Sequence, residues 1–366
     1  VRSFDAVRRV VVKIGTNVLS RGDAMDTDYI EGIGRQVHGL RSRGYEVVLV
    51  TSGAIGMGAR ELGLSGKITN VQMRQACAAI GQPLLMHAYK QGFQAHGLKV
   101  AQVLLTSEVL NNRRSYLNLR NAIESLLSLG VVPIVNENDS VSTAEIGTSF
   151  GDNDRLSALV ASKLDAELLI MLTDIEGLYD RDPRRESDAR LISEVETITP
   201  EIERSAAGAG SAHATGGMRT KLKAAGIAAA AGCRTVLVHG RERNVLERVI
   251  TGETIGTVFG AKPRMKNRLR WLRNSEPRGR IVVDDGALRA IRKRNSLLVS
   301  GVREIEGVFP SGAVVMINDA AKVVTNLDSA QLQAVAGKKS AEVQQMLGEE
   351  FSGIVARPED TVFLDE

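Results

Sequence analysis

Cysteine is nearly absent. The chain of 366 residues has two, Cys77 and Cys233, each among small or apolar neighbours and neither in a Cys-x-x-Cys or Cys/His cluster. A disulfide framework and a thiolate metal site are thereby excluded, and both thiols are expected to be buried, in a reducing compartment. The five histidines, His38, His87, His96, His213 and His239, fall at no metal-ligand spacing, so no zinc centre is expected. No apolar run approaches the ~20 residues that cross a bilayer. Residues 1–14 carry early charge and a short β-branched run, which reads as a first strand and not as a signal peptide. A cytoplasmic protein without a membrane partner is the expectation. Two phosphate-binding signatures are also missing: Gly-x-x-x-x-Gly-Lys-Ser/Thr, and Gly-x-Gly-x-x-Gly placed between a strand and a helix.

Charge is spread unevenly. The formal net charge is +4, yet residues 261–310 hold thirteen Lys or Arg against five Asp or Glu. Such a segment is either a nucleic-acid footprint or a solvated linker and helix face, and without interleaved aromatics the second reading is preferred.

What is present reads as an α/β protein with a second domain. Residues 7–14, 46–51, 100–105, 131–136, 167–173 and 235–239 are β-branched runs separated by helical stretches, the pattern of a parallel sheet. Ile30, Ile33, Val37 and Leu40 recur at helical spacing, as do Tyr116, Leu119, Ile123, Leu126 and Leu127. Past several strands the sequence turns small and polar: Gly15-Thr16-Asn17, Ser52-Gly53-Ala54, Asn136-Glu137-Asn138-Asp139 and Asp174-Ile175-Glu176-Gly177. Ligands of open α/β sheets bind outside the carboxyl ends of strands, so the chemistry is expected along one edge. After Phe259 a basic stretch and a Pro277-Arg278-Gly279 turn mark a break. The expected division is 1–262, a linker 263–277, and a small β-rich module 278–366 with strands at 280–283, 297–299 and 314–317.

Four segments could carry chemistry. Thr215-Gly216-Gly217-Met218-Arg219-Thr220-Lys221 precedes an alanine-rich helix whose amino end would direct N–H groups at phosphate; the alternative is a flexible loop. Lys13 interrupts Val10-Val11-Val12 and Ile14, where a charge is expensive unless solvated or paired, so it either serves an anion or faces water from an edge strand. Gly151-Asp152-Asn153-Asp154 opens a helical run and could be an N-cap, but two carboxylates exceed what capping needs. Paired carboxylates also serve glycosidases and metal hydrolases, whereas the companion lysines favour a polyanionic ligand. Thr173-Asp174 closes an apolar strand and could be turn chemistry alone.

The conjunction is more specific than its parts. Val11-Val12-Lys13-Ile14-Gly15-Thr16, Val50-Thr51-Ser52-Gly53-Ala54-Ile55, Val135-Asn136-Glu137-Asn138-Asp139, Gly151-Asp152-Asn153-Asp154, Leu172-Thr173-Asp174 and the glycine-lysine loop, in this order, resemble the glutamate kinases of the amino-acid kinase family. Val283-Asp284-Asp285-Gly286-Ala287, Ser296-Leu297-Leu298, Gly301-Val302, Glu306-Gly307-Val308-Phe309 and Gly337-Lys338-Lys339-Ser340 resemble the PUA domain appended to many bacterial members. Two stretches depart from the pattern: Ile146-Gly147-Thr148-Ser149-Phe150 is longer, and Ala212-His213-Ala214 replaces a more glycine-rich approach to Thr215.

The resemblance implies a three-layer αβα sandwich around a mainly parallel sheet, followed by the PUA module. It implies ATP-dependent phosphorylation of the γ-carboxylate of L-glutamate, the first step of proline biosynthesis, with Mg2+ carried largely by the phosphates. Lys13 and Lys221 would contact the phosphoryl group in flight, Asp154 would hold both ammonium groups, and Asp152 would support the cluster. Glutamate would lie against Thr16, Ser52, Gly53, Ala54, Asn136, Asp139 and Asn153. The nucleotide would meet Lys13, Thr173, Asp174, Thr215, Gly216, Gly217, Met218, Arg219, Thr220 and Lys221. Proline as a feedback inhibitor acting near residues 68–81, a transient contact with glutamyl-phosphate reductase, homo-oligomers, and RNA at the PUA module are the implied partners. The rival readings are a sister kinase acting on another small acid and an RNA-binding protein with an inactive kinase-like domain.

Overall fold

The computed structural model describes residues 2–22, 24–66, 68–141, 153–183, 186–206, 215–261, 267–348, 351 and 353–365. The chain divides into two compact units, Val1–Arg264 and Met265–Glu366, with separate apolar cores.

The first unit is built on an eight-stranded sheet. Its strands are β1 (Arg9–Ile14), β2 (Glu46–Val50), β3 (Lys99–Leu105), β4 (Val131–Glu137), β5 (Leu168–Thr173), β6 (Glu194–Val195), β7 (Arg234–His239) and β8 (Thr257–Phe259). They lie in the order β6-β8-β7-β5-β1-β2-β4-β3. All neighbours pair in parallel except β7 with β8. Strands covered on both faces read as near-continuous apolar runs, and for that reason Val10 through Ile14 are all buried.

Alternation along β1 assigns the two faces. Val10, Val12 and Ile14 join Val47, Leu49, Ile170 and Leu172 in one core; Val11 joins Val48, Val50, Leu169 and Met171 in the other. The first core is covered by α2 (Thr27–Ser42), which buries Ile30, Ile33, Val37 and Leu40, and by α4 (Val71–Gln94), which buries Leu85, Tyr89 and Phe93. The second is covered by α5 (Arg113–Ser128), α6 (Asn153–Lys163) and α7 (Thr215–Ala230), through Ile123, Leu156, Leu159, Leu222, Ala225 and Ala228. The result is the three-layer αβα arrangement.

Two short helices complete the edge where strands end. The small, polar Gly15-Thr16-Asn17 stretch opens a one-turn helix, α1 (Thr16–Leu19), and α3 (Ala54–Glu61) follows β2. α3 and α4 approach at backbone distance: a Cβ on Gly81 would lie 1.8 Å from the Ala54 carbonyl oxygen. That contact fixes where α3 begins.

The second unit is a five-stranded sheet in the order Val302–Glu306, Arg280–Val283, Val314–Ile317, Ala321–Val324, Thr361–Phe363. Only Arg280–Val283 and Val314–Ile317 pair in parallel. Ile281, Val315, Ile317, Val323, Leu332 and Phe363 fill its core. The expected strand at 297–299 is two residues, Leu297–Leu298, before a 3-10 turn.

Candidate active site

The carboxyl ends of β1, β2, β4 and β5 open onto a cavity of about 480 Å3. β1 lies inside the sheet between β5 and β2, so the edge-strand reading of Lys13 does not hold. Its side chain shares the parity of Val11 and therefore emerges on the face covered by α6 and α7.

There it meets Asp154. Lys13 Nζ lies 2.6 Å from Asp154 Oδ1, and Lys221 Nζ lies 3.0 Å from Oδ2. Thr220 Oγ1 donates to the same Oδ2 at 3.1 Å. The side chains of Lys13, Asp154 and Lys221 are 9%, 3% and 13% exposed, so one buried anion sits between two nearly buried cations. Burial alone would push the Asp154 carboxyl up, but the Lys13 and Lys221 charges outweigh it and hold the group below its ordinary value. Lys221 stands one helical turn past Gly217, whose carbonyl its Nζ also reaches at 3.3 Å. The lysine is thus placed by the first turn of α7.

A second group of side chains lines another part of the cavity. Asn153 opens α6, yet its amide works as a donor, to Ser52 Oγ at 2.9 Å, to Asn136 Oδ1 at 3.1 Å and to the Thr51 carbonyl. It therefore ties α6 to the ends of β2 and β4. Asn136 Nδ2 continues to Gln82 Oε1 at 2.9 Å, and Gln82 Nε2 to Gln102 Oε1 at 3.1 Å. Thr16, Ser52, Gly53 and Ala54 line the cavity, with left-handed Gly53 (φ 102°) turning the chain into α3. Asp139 lines it too; burial pushes its carboxyl up, and the charge of Arg74 opposes that.

The third wall carries Thr173 and Asp174. Asp174 accepts from Asn17 Nδ2 at 2.8 Å and from Thr173 Oγ1 at 3.0 Å. Burial raises its carboxyl; these hydrogen bonds and the Lys221 charge bring it below its ordinary value. Of the glycine-lysine segment, Gly217, Thr220 and Lys221 line the cavity. Met218 instead packs against the second core, and Arg219 is exposed. α7 begins at Thr215 and continues through Gly216. Asp152 and the 146–150 stretch lie outside the described residues, as does 212–214.

Sequence reasoning passed over Asn17, Arg74 and Glu137, which also line the cavity, and Gln82 and Gln102 behind it. Glu137 and Asn17 sat inside quoted motifs. Arg74 and Gln82 ride on α4, which carries Pro83 in its interior and offers no clear amphipathic stripe.

The arrangement is suited to a polyanion: two ammonium groups and the start of α7 meet at one cavity. Among the described residues no group of three or more His, Cys, Asp or Glu side chains could hold a metal ion.

Comparison with known proteins identifies relatives for both units. Residues 8–239 match the model of the amino acid kinase family, and residues 279–347 that of the PUA domain. A glutamate 5-kinase of Methanosarcina barkeri is 46% identical, over 96% of this chain and 95% of its own. One of Trichlorobacter lovleyi is 44% identical, over 98% of this chain and 97% of its own. The crystal structure of T. acidophilum isopentenyl phosphate kinase superposes with a TM-score of 0.50 at 19% identity, over 69% of this chain and 99% of that one, which speaks for the fold.

Because Asp154 is the shared counter-ion, Asp154→Asn should lower stability by about 3 kcal/mol at neutral pH, since it leaves two cations without their anion. A carboxyl whose folded pKa is depressed contributes fully above the unfolded value of ~3.9 and loses that contribution as pH falls through the folded value. Urea unfolding of both proteins should therefore show a gap that is wide at pH 7 and closes below about pH 4. A gap that is absent at pH 7, or constant with pH, would contradict the assignment.

Proposed function

The chain belongs to the amino acid kinase family, and on that premise we propose that it transfers the γ-phosphoryl group of ATP to the γ-carboxylate of L-glutamate, giving L-glutamyl 5-phosphate for proline biosynthesis. The observation that carries this reading is the Asp154 carboxylate held between Lys13 and Lys221 at the cavity. The names of the relatives supply the acceptor.

A glutamate side chain titrates near ~4.3, so the acceptor is already an anion at neutral pH and needs no general base. Asp154 would be a poor base in any case, because the two lysine charges hold its carboxyl below its ordinary value and both oxygens are occupied. The difficulty is repulsion between carboxylate and triphosphate. Lys13 and Lys221 neutralise the transferred group while a carboxylate oxygen forms the new bond to phosphorus and the bond to the ADP oxygen breaks, its electron pair leaving with ADP. Catalysis is then alignment plus charge stabilisation. Asp154 orients both ammonium groups, and Asp152 supports the cluster.

Asp139 receives the glutamate ammonium group. Thr16, Asn136 and the backbone amides near Ser52 and Asn153 receive its carboxylates, with Gly53 and Ala54 lining the same wall. Thr173, Asp174 and the 215–221 segment hold the nucleotide. The residues fit a magnesium ion that would arrive on the phosphates: both Asp154 oxygens are taken by lysines, and among the described residues no group of three or more His, Cys, Asp or Glu could hold the ion by itself. Bound there, the ion supplies further neutralisation of phosphate charge. The acyl phosphate product hydrolyses readily, which suits hand-over to a glutamyl-phosphate reductase in the cytoplasm. Among the described residues no helix is long and apolar enough to cross a membrane.

Lys13→Ala and Lys221→Ala should each lower kcat by about 100-fold or more, with the KM for glutamate within a few-fold, because both charges act where charge redistributes. Glutamate-dependent ADP release, with hydroxylamine trapping of the acyl phosphate, is the assay. Near-normal kcat in either folded variant removes that lysine from the catalytic set, and no trapped product from the wild type overturns the function.

Proline shares the α-ammonium and α-carboxylate of glutamate and lacks the reacting carboxylate, so it should compete at the wall formed by Asp139, Asn136 and Asn153. Added proline is expected to raise the apparent KM for glutamate and leave the limiting rate unchanged. Inhibition that saturating glutamate does not relieve would separate the two sites.

A further inference from the structure

Behind the cavity, the turn after β7 meets the segment that joins β1 to α2. Gly240 N donates to the Thr173 carbonyl at 2.7 Å, and its own carbonyl accepts from Tyr29 Oη at 3.0 Å. A Cβ on Gly240 would fall 2.7 Å from Val18 Cγ1, so this close approach requires glycine. The next residue, Arg241, turns its guanidinium back under α1. Nη1 donates to Asp26 Oδ2 at 2.9 Å, while Nη2 donates to the Ser20 carbonyl at 2.7 Å and the Val18 carbonyl at 3.1 Å. The guanidinium also lies 5.5 Å from the Tyr29 ring centroid.

These acceptors are not arbitrary surface oxygens. A one-turn helix cannot satisfy its own last carbonyls, and α1 is such a helix. Arg241 supplies the missing donors. Its anion, Asp26, is 5% exposed, accepts from Tyr29 N at 3.1 Å as the N-cap of α2, and donates its own N–H to the Leu19 carbonyl. One planar fork thus joins the last turn of α1 and the N-cap of α2 to the turn after β7. The other side of α1 carries Thr16 and Asn17 into the cavity, where Asn17 holds Asp174.

We propose that Arg241 is a positioning residue for both substrates: it fixes α1 from behind, so that Thr16 faces the acceptor and Asn17 holds Asp174 for the nucleotide. This rests on the reading of the cavity as the site of glutamate and ATP. Lysine is no substitute, because a single ammonium group cannot span a carboxylate and two carbonyls in one plane.

The test is steady-state kinetics on Arg241→Ala and Arg241→Lys, with and without millimolar guanidinium. Loss of charge-assisted hydrogen bonds that act in the ground state should raise the KM for ATP and for glutamate by about tenfold each, with kcat within about threefold. Guanidinium should recover much of the loss in Arg241→Ala and none in Asn17→Ala. Unchanged KM values, or a loss that guanidinium leaves untouched in a folded Arg241→Ala, would overturn the proposal. If Arg241→Ala does not fold, Arg241→Gln keeps the stem over Tyr29 and is judged by the same KM values. Absence of glutamate-dependent ADP release from the wild type would count against the functional reading alone. Arg241 is then tested by hydrogen exchange: the amides of Val18, Leu19 and Asp26 should exchange faster in the variant and slow again with guanidinium, and unchanged exchange would overturn the role.

Discussion

A carboxylate shared by two ammonium groups is the constraint around which the first unit is arranged. Lys13 can be buried in a valine-rich interior strand only because Asp154 faces it, and Asp154 can be buried only because Lys221 and Thr220 take its second oxygen. Meeting that requirement fixes three elements at once. β1 must stop at the cavity with Lys13 on the α6 side, α6 must begin there, and α7 must bring Lys221 on its second turn.

With its carboxyl held below the ordinary value and both oxygens bonded, Asp154 favours charge stabilisation over proton transfer. A carboxylate substrate brings its own nucleophile, so what the protein contributes is the placement of cations against a developing distribution of negative charge. The amide wall of Asn136 and Asn153 is built differently, from neutral donors anchored through Gln82 and Gln102. Neutral donors can receive an anionic substrate without the competing attraction that a third lysine would exert on the phosphates.

Much of this was legible in the sequence because burial on both faces leaves no polar positions to confuse the pattern. The interior strands and the Ile30, Ile33, Val37, Leu40 stripe read directly, as did the small polar segments past the strands. Lys13 was legible as an anomaly but not as an interior residue, since strand order is a non-local property. β8 runs antiparallel to β7, which three residues could not announce. α4 escaped because it packs against α3 on one side and covers the first core on another, so its apolar residues follow no single stripe. Met218 belongs to the glycine-lysine segment in sequence, and the helical turn packs its side chain against the second core. Arg241 gave no signal at all, because its partners Val18, Ser20 and Asp26 are more than two hundred residues away in the chain.

The position of the transferred group decides whether both lysines act on it. A crystal structure with L-glutamate, magnesium and a non-hydrolysable ATP analogue reads this directly. The expected result is a terminal phosphoryl group within hydrogen-bond distance of Nζ of both Lys13 and Lys221, with Asp154 still bridging them and a glutamate carboxylate oxygen in line on the far side. A phosphoryl group remote from either lysine, or Asp154 released from them to coordinate the metal, would contradict it.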